Sequence, residues 1–589
     1  MAGLATKKEK PKDARGTLRR ILAYVMEYRL TLAVIMVLVI IGNVLSLLGP
    51  KLAGKAISAV AAGKGNVDFS LVYTYAWQML LCYVSSSLLT FAVNIGMMRT
   101  GRFIAKKLRG DVFDKLMEMP VSYFDQNQAG DIISRVSYDI DVISTCISAD
   151  IVQILTSVVT VAGAFAMMAY ISPALTAITL ITIPLAVGYT RHMNKIARPL
   201  FAKRSASYGR MNGFVEEKFS GHRTIQGYAQ EDQVSDAFRE INQGAANAFY
   251  NADSVGRRVG PSVNFINNLG LALVGTLGSV LYLGGKIDLG EISSFVLYSR
   301  KFSGPINEIA NITNEIYSGL AAAERVFQLL DAREEAADVE NARELTSVRG
   351  EVSLRGVDFG YTPDRTILHG VDLQADPGKL IAIVGPTGAG KTTIINLLMR
   401  FYDAQAGDCR VDGHDMYALT RSSLRRAYAM VLQDTWLFRG TVYENIAYGK
   451  ENATREEVVS AARAARIHGY IMQLPQGYDT VISEDGGNIS KGQKQLLTIA
   501  RAMLYDAKML ILDEAASNVD TTTERRIQKA MRELMADKTC FVIAHRLSTI
   551  QHADNILVID QGRVVEQGTH EALMAKKGAY YKLYAAQFE

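Results

Sequence analysis

The sequence predicts two fold classes in one chain: an α-helical membrane domain of six transmembrane spans, then an α/β domain built round a glycine-rich phosphate loop. Three observations predict it. From about Arg29 to Leu320 the chain holds long apolar runs with few charges. From about Arg349 onward, short apolar strands alternate with helical patterns. At 379–393 the chain reads KLIAIVGPTGAGKTT, a buried strand followed by a glycine loop and a helix start.

Length and composition are consistent with this division. The 589 residues are enough for several domains. A net charge of +5 is mild and makes no case for nucleic acid. The four cysteines, Cys82, Cys146, Cys409 and Cys540, have no metal-ligand spacing and read as free thiols in a reducing setting. The basic start lacks the apolar stretch and cleavage site of a signal peptide.

Residues 1–29 read as a cytoplasmic N-terminus. Leu18, Ile21, Leu22, Val25 and Met26 repeat at helical spacing, which predicts an interfacial helix with Arg19 and Arg20 on its wet side. Six spans are expected near 30–50, 70–95, 150–170, 173–194, 261–284 and 289–312, within a membrane domain at 30–320. The connections 51–69, 171–172 and 285–288 are short, whereas 96–149 and 195–260 each exceed fifty residues. Seven Lys and Arg fall in 96–149 and eleven in 191–260, against three in 51–69, and the first 29 residues carry eight. The positive-inside rule therefore puts both termini and both long connections on the cytoplasmic side of a cell membrane. Each long connection reads as two helices running on past the bilayer, since 25 residues reach roughly 38 Å. Their far points are the polar turns SYFDQNQAGD (122–131) and SGHRTIQGYAQED (220–232). A linker is assigned to 321–348 and the soluble domain to 349–589.

Within the sixth span, YSRKFSGP (298–305) places Arg300 and Lys301 near mid-bilayer depth. An unpaired cation there costs ~2.5–3.5 kcal/mol or more, so these side chains face water or a partner rather than lipid. Neighbours on a helix stand about 100° apart and need not share one fate. Two readings stay open. In one, both are tied down structurally, with Glu308 two turns below and Pro305 bending the helix between. In the other, Arg300 lines a substrate cavity that favours anionic or amphipathic cargo.

The glycine loop matches G-x-x-x-x-G-K-[ST] through Gly385, Pro386, Thr387, Gly388, Ala389, Gly390, Lys391 and Thr392, with Thr393 following. Its backbone N–H groups wrap a phosphate, the helix N-terminus adds positive potential, Lys391 reaches the β and γ oxygens, and Thr392 holds Mg2+. A second apolar strand in KMLILDEAASNVD (508–520) ends in Asp513 and Glu514. The aspartate is placed to hold Mg2+ through water, and the glutamate to polarise an attacking water. Such a pair alone is a weak signal; paired with the glycine loop it is strong. A third strand, FVIAH (541–545), leaves His545 at its end.

In this order, these residues resemble the nucleotide-binding domain of ATP-binding cassette (ABC) proteins across the whole soluble half. The resemblance implies that Tyr361 in VDFGY stacks on adenine and that Gln433 in VLQD senses Mg2+. It implies that ISKGQ (489–493) is the signature, that Asp520 belongs to the D-loop and that His545 is the switch histidine. Catalysis would then rest on Glu514, His545 and Gln433, with Mg2+ at Thr392, Gln433 and Asp513. Six spans with two long cytoplasmic connections, fused ahead of one such domain, resemble the bacterial exporter half-transporters. In that family each ATP lies between one chain's glycine loop and the other's signature, so a second half-transporter is an implied partner. Ser490, Gly492 and Gln493 keep the contacting residues of the common form L-S-G-G-Q, and Lys491 replaces only its first glycine. EDGGNISKGQKQLLTIARA and LMRFYDAQAGD look most like the catalytically complete subunit of heterodimeric multidrug exporters, so a heterodimer is favoured and a homodimer stays open. The implied activity is ATP-driven export of a drug, lipid or peptide-like cargo by alternating access. A lipid floppase on the same scaffold is the alternative. An ATP-gated channel or regulatory membrane protein is the other, and the complete hydrolytic set argues against it. No peptidase precedes the first span, so leader cleavage by this chain is not expected.

Overall fold

The computed structural model describes residues 13–60, 67–362, 364–432, 435–483, 488–513, 520–543 and 551–586. The chain divides into two compact units, Met1–Met119 with Asn127–Arg333, and Pro120–Gln126 with Glu334–Glu589.

The first unit is helical. Five of its helices are long and apolar enough to cross a membrane: Arg29–Val60, Phe69–Met117, Ala129–Ile171, Pro173–Ser220 and Glu231–Leu283. A further helix, Leu289–Leu330, contains the expected sixth span. The 48-residue helix Pro173–Ser220 is about 72 Å long, more than twice the ~30 Å of a hydrocarbon core. Its excess length is the helical extension expected from the sequence. Large apolar side chains such as Trp77, Leu81, Leu88 and Phe91 lie exposed along Phe69–Met117, as lipid-facing residues do.

Helix pairs approach closely where residues are small. A Cβ at Gly290 would sit 2.1 Å from the Gly54 carbonyl oxygen, so Arg29–Val60 and Leu289–Leu330 meet backbone to backbone. Below this crossing Leu47, Ala164, Met168, Leu175, Val274, Phe295, Tyr298 and Phe302 form one buried cluster. Leu289–Leu330 runs ten residues beyond the boundary read from the sequence. Arg325 in that extension makes a bidentate pair with the buried Asp139, at 2.9 and 2.5 Å.

The helix expected near the N-terminus spans Ala14–Met26, with Asp13 accepting the Gly16 N–H at its start. Leu18, Leu22 and Met26 remain exposed along one side. Arg20 pairs with Asp331 at 2.5 Å while its side chain stays 42% exposed, and it lies over the Phe327 ring.

The second unit holds two main sheets. One has the order β2 (Leu368–Ala375), β1 (Val352–Phe359), β4 (Ala406–Val411), β5 (His414–Asp415) and is antiparallel. The other runs β12 (Arg563–Gly568), β11 (Asn555–Asp560), β3 (Leu380–Val384), β10 (Thr539–Ile543), β9 (Met509–Asp513), β6 (Tyr428–Val431). All its pairs are parallel except the edge pair of β11 and β12. Its central strands are almost continuously apolar because both faces are covered. Ala382 and Val384 of β3 pack into one core, and Ile381 and Ile383 into the other. The segment from Glu334 is held to this unit by Arg425 on Glu335 and by Asp338 accepting the Arg421 N–H.

Candidate nucleotide site and membrane cavity

Parallel pairing brings four strand ends to one edge of the sheet. Ile383, Ile543 and Asp513 lie side by side across β3, β10 and β9, and Val431 of β6 pairs with Leu512. The glycine loop leaves β3 at this edge, and ligands of open α/β sheets bind at the carboxyl ends of the strands. Gly385 has φ +156°, and a Cβ there would lie 2.1 Å from the Ile559 carbonyl oxygen. Gly390, at φ +105°, caps the helix Lys391–Leu398 in a left-handed conformation that other residues rarely adopt. Pro386, Thr387, Gly388 and Thr392 are exposed around the loop, whereas Ala389, Lys391 and Thr393 are buried.

The Lys391 ammonium folds onto the loop and donates to the carbonyls of Gly385 and Pro386, at 2.8 and 2.9 Å. Burial pulls it below its ordinary pKa, and the Asp513 carboxylate opposes that shift. Lys391 and Asp513 are therefore electrostatic neighbours, as a site for a metal-bound phosphate chain requires. The Thr392 hydroxyl and Asp513 carboxylate are hard oxygen donors of the kind Mg2+ takes. Gln433, Glu514 and His545 lie outside the described residues.

Tyr361 stands exposed near this helix. It donates to the Thr393 hydroxyl at 3.2 Å and accepts from the Asn396 amide at 3.0 Å. Its ring meets Phe359 and Tyr402 edge to face, with centroids 5.0 and 4.9 Å apart. Sequence reading picked out Tyr361 but missed Asn396 and Tyr402. The signal for Asn396 was its place on the turn after Thr393; nothing local marked Tyr402.

Ser490 and Gln493 begin the helix Lys491–Tyr505 with a capping box: the Ser490 hydroxyl accepts the Gln493 N–H at 3.3 Å and the Gln493 side chain accepts the Ser490 N–H at 3.0 Å. Lys491 is the first helical residue and its side chain is exposed, while Gly492 is buried. Asp520 caps the helix Thr521–Met535 by accepting the Thr523 N–H at 2.9 Å, and that bond first of all holds its carboxyl below the usual range. Another residue missed in the sequence is Arg501. It donates to the Asn445 and Trp436 carbonyls and so ties the signature helix to the segment after Gln433.

In the membrane unit the two adjacent cations separate. The Lys301 ammonium donates to the Ser46 carbonyl at 2.8 Å and to its hydroxyl at 2.5 Å. Pro50, lacking an N–H, leaves the carbonyl four residues earlier without its helical donor, and that carbonyl belongs to Ser46. Lys301 supplies the missing donor. Arg300 instead lines a cavity of about 260 Å³ with Thr179, Asn264, Asn267, Asn268 and Ser303, and has no hydrogen-bond or ion-pair partner among the described residues. Glu308 accepts from Gln153 at 2.6 Å.

Helices of bilayer-crossing length and a phosphate loop at the edge of a parallel sheet, in one chain, define an ATP-powered membrane transporter. Residues 32–306 match the model of the ABC transporter transmembrane region, and 368–517 that of the ABC transporter. A fatty acid ABC transporter ATP-binding/permease protein of Mycobacterium tuberculosis is 44% identical over 527 residues, 90% of this chain and 83% of that protein. An ATP-dependent lipid A-core flippase of Syntrophus aciditrophicus is 34% identical over 511 residues, 87% of this chain and 85% of that protein. The solved structure of a bacterial Atm1-family ABC exporter with ATP bound superposes with a TM-score of 0.74 at 31% identity, covering 95% of this chain and 98% of that one. The chain belongs to the ABC exporters, as a half-transporter with its transmembrane and ATP-binding regions fused, and its ATPase is coupled to transport. Such exporters work as dimers in a membrane.

Proposed function

We propose that this half-transporter exports an amphipathic, anionic cargo across the cell membrane, with both termini and the ATP-binding domain on the cytoplasmic side. The observation that carries the cargo reading is the Arg300 cavity. A cation with no partner among the described residues, amid asparagine amides and hydroxyls, suits a carboxylate or phosphate headgroup. The lipid substrates named for the two relatives agree with that chemistry.

The carboxyl edge of the parallel sheet supports an ATP site there. The loop 385–393 cradles the phosphates, with Lys391 on the β and γ oxygens and Tyr361 under the base. Thr392, Asp513 and Gln433 would hold Mg2+, which when bound would supply charge neutralisation for phosphoryl transfer. Glu514 would orient the attacking water, and His545 would act on the γ-phosphate. Ser490, Gly492 and Gln493 face the ATP held by a second half-transporter, to which Asp520 also contributes. We favour a non-identical partner on the resemblance of 484–502 to the complete subunit of heterodimers.

The cargo test is direct. In a cysteine-substituted chain, position 300 reacts with a water-soluble thiol reagent in the nucleotide-free protein and less once ATP is trapped. Arg300→Ala lowers transport, or stimulation by anionic lipid, several fold more than basal ATPase. An inert position 300 together with lost expression refutes the cavity reading. A floppase is the second reading, supported by the lipid A-core relative. It predicts ATP-dependent movement of labelled lipid between leaflets of proteoliposomes, without accumulation of a soluble probe.

A further inference from the structure

The helix Ala14–Met26 is held along one side and bare along the other. On its inner side Thr17 and Val25 are buried. Tyr24 stacks on Phe327, centroids 6.2 Å apart, and donates to the Asp111 carboxylate at 2.8 Å. Arg20 pairs with Asp331, and the Asp13 N–H donates to Glu324 at 3.3 Å. Just past the last turn, Glu27 pairs with Lys107. These bonds reach the helices Phe69–Met117 and Leu289–Leu330 and fix the rotation of the short helix about its own axis. With 3.6 residues per turn, Arg15, Leu18, Arg19, Leu22 and Met26 then fall within an arc of about 100° on the outer side. All five are exposed. Arg15 and Arg19 stand one turn apart and have no hydrogen-bond or ion-pair partner among the described residues. The apolar side does not stop at Met26. Leu30, Val34, Val37 and Ile41 carry it on, also exposed, along the bilayer-length helix Arg29–Val60.

We propose that Arg15 and Arg19 form a binding site for the phosphate headgroup of anionic phospholipid in the leaflet they border, with Leu18, Leu22 and Met26 seated at its acyl boundary. Two features name the bilayer as the occupant. The apolar stripe is continuous with outward side chains of a helix long enough to cross a membrane. The two guanidinium groups flanking it are the charge complement of a phosphodiester, which a planar fork of donors grips better than a point charge does. A basic side chain at that level favours anionic over zwitterionic lipid by about fivefold. Arg20, although next to Arg19, is not part of the site, because Asp331 already matches its charge. The site is separate from the Arg300 cavity and takes lipid as a resident ligand, not as cargo.

The test uses the full-length protein in phosphatidylcholine nanodiscs, with any second subunit that co-purifies. In a chain whose four native cysteines are changed to serine, Leu22→Cys carries a fluorophore. Its quenching by a trace of spin-labelled phosphatidylglycerol is compared with that by spin-labelled phosphatidylcholine. Phosphatidylglycerol quenches about fivefold more per mole, and the preference falls towards unity as salt screens the arginines. Arg15→Gln combined with Arg19→Gln removes the preference at unchanged melting temperature, whereas Arg15→Lys combined with Arg19→Lys retains most of it. Arg300→Ala leaves it intact, and inorganic phosphate at matched ionic strength does not compete. Equal quenching by the two lipids, or a preference that survives the double Gln variant, overturns the proposal. Competition by inorganic phosphate also overturns it, since the site then takes a free anion. A preference lost in Arg300→Ala overturns it and assigns the lipid to the cavity. Failure of Arg300→Ala to change transport sinks the cargo reading instead and leaves this site standing. If the double Gln variant does not express, the salt series on the parent chain decides: a preference that persists at high salt overturns the proposal.

Discussion

Lys301 and Pro50 are expected to be energetically coupled although they lie in different helices, far apart in the chain. In Lys301→Met the length and much of the apolar stem are kept, but the donor to the Ser46 carbonyl at 2.8 Å is lost. Hydrogen bonds to charged groups contribute about 1.5–3 kcal/mol, and a buried orphan carbonyl costs at the upper end of that range. Pro50→Ala restores a backbone N–H at the position from which an α-helix donates to residue 46. Lys301→Met should therefore cost about 2–3 kcal/mol with Pro50 present and less than about 1 kcal/mol in the Pro50→Ala background, a coupling of roughly 1–2 kcal/mol. The assay is a four-variant unfolding cycle on the full-length protein in nanodiscs. Chemical denaturation is followed by Trp77 fluorescence in a Trp436→Phe background, since these are the only two tryptophans and Trp77 lies on Phe69–Met117, which packs along the Pro50-bearing helix. Equal costs of Lys301→Met in the two backgrounds would refute the reasoning and leave Lys301 as a packing residue without a carbonyl to satisfy.

Two further outcomes are expected at the nucleotide site. Glu514→Gln keeps ATP binding, removes most hydrolysis and traps closed cassettes; purified protein turning over near the unmodified rate would sink the assignment, and with a degenerate partner site this one change silences the complex. Lys491→Gly leaves ATPase within a few fold because the lysine side chain is exposed, whereas Ser490→Ala costs about 1 kcal/mol of helix cap as well as a phosphate contact and lowers the rate much more. The opposite order, measured by steady-state ATPase, would make Lys491 a ligand and Ser490 only a cap.

What the sequence determined by itself was whatever depends on local pattern. Apolar runs of bilayer length, positive flanking charge, GPTGAGKT after a strand and an acidic pair at the end of another are each contained in a short window, and the helices and strands stand where those windows lie. Even the signature's lysine could be weighed locally, since the first turn of a helix is set by its cap. The tertiary structure decided the pairings, because partners distant in sequence leave no local trace. Arg300 and Lys301 are indistinguishable by composition and depth. Only the packing of Leu289–Leu330 against Arg29–Val60 brings one of them to the carbonyl freed by Pro50 and leaves the other on a cavity. Arg20 carries no sign of a partner in the sequence, and only the fold puts Asp331 beside it. Asp125 and Tyr402, 277 positions apart, look like an ordinary turn carboxylate and an ordinary aromatic. The hydrogen bond between them exists because the chain returns a short helix from the membrane half to the domain that binds ATP, a closure in space that no periodicity encodes.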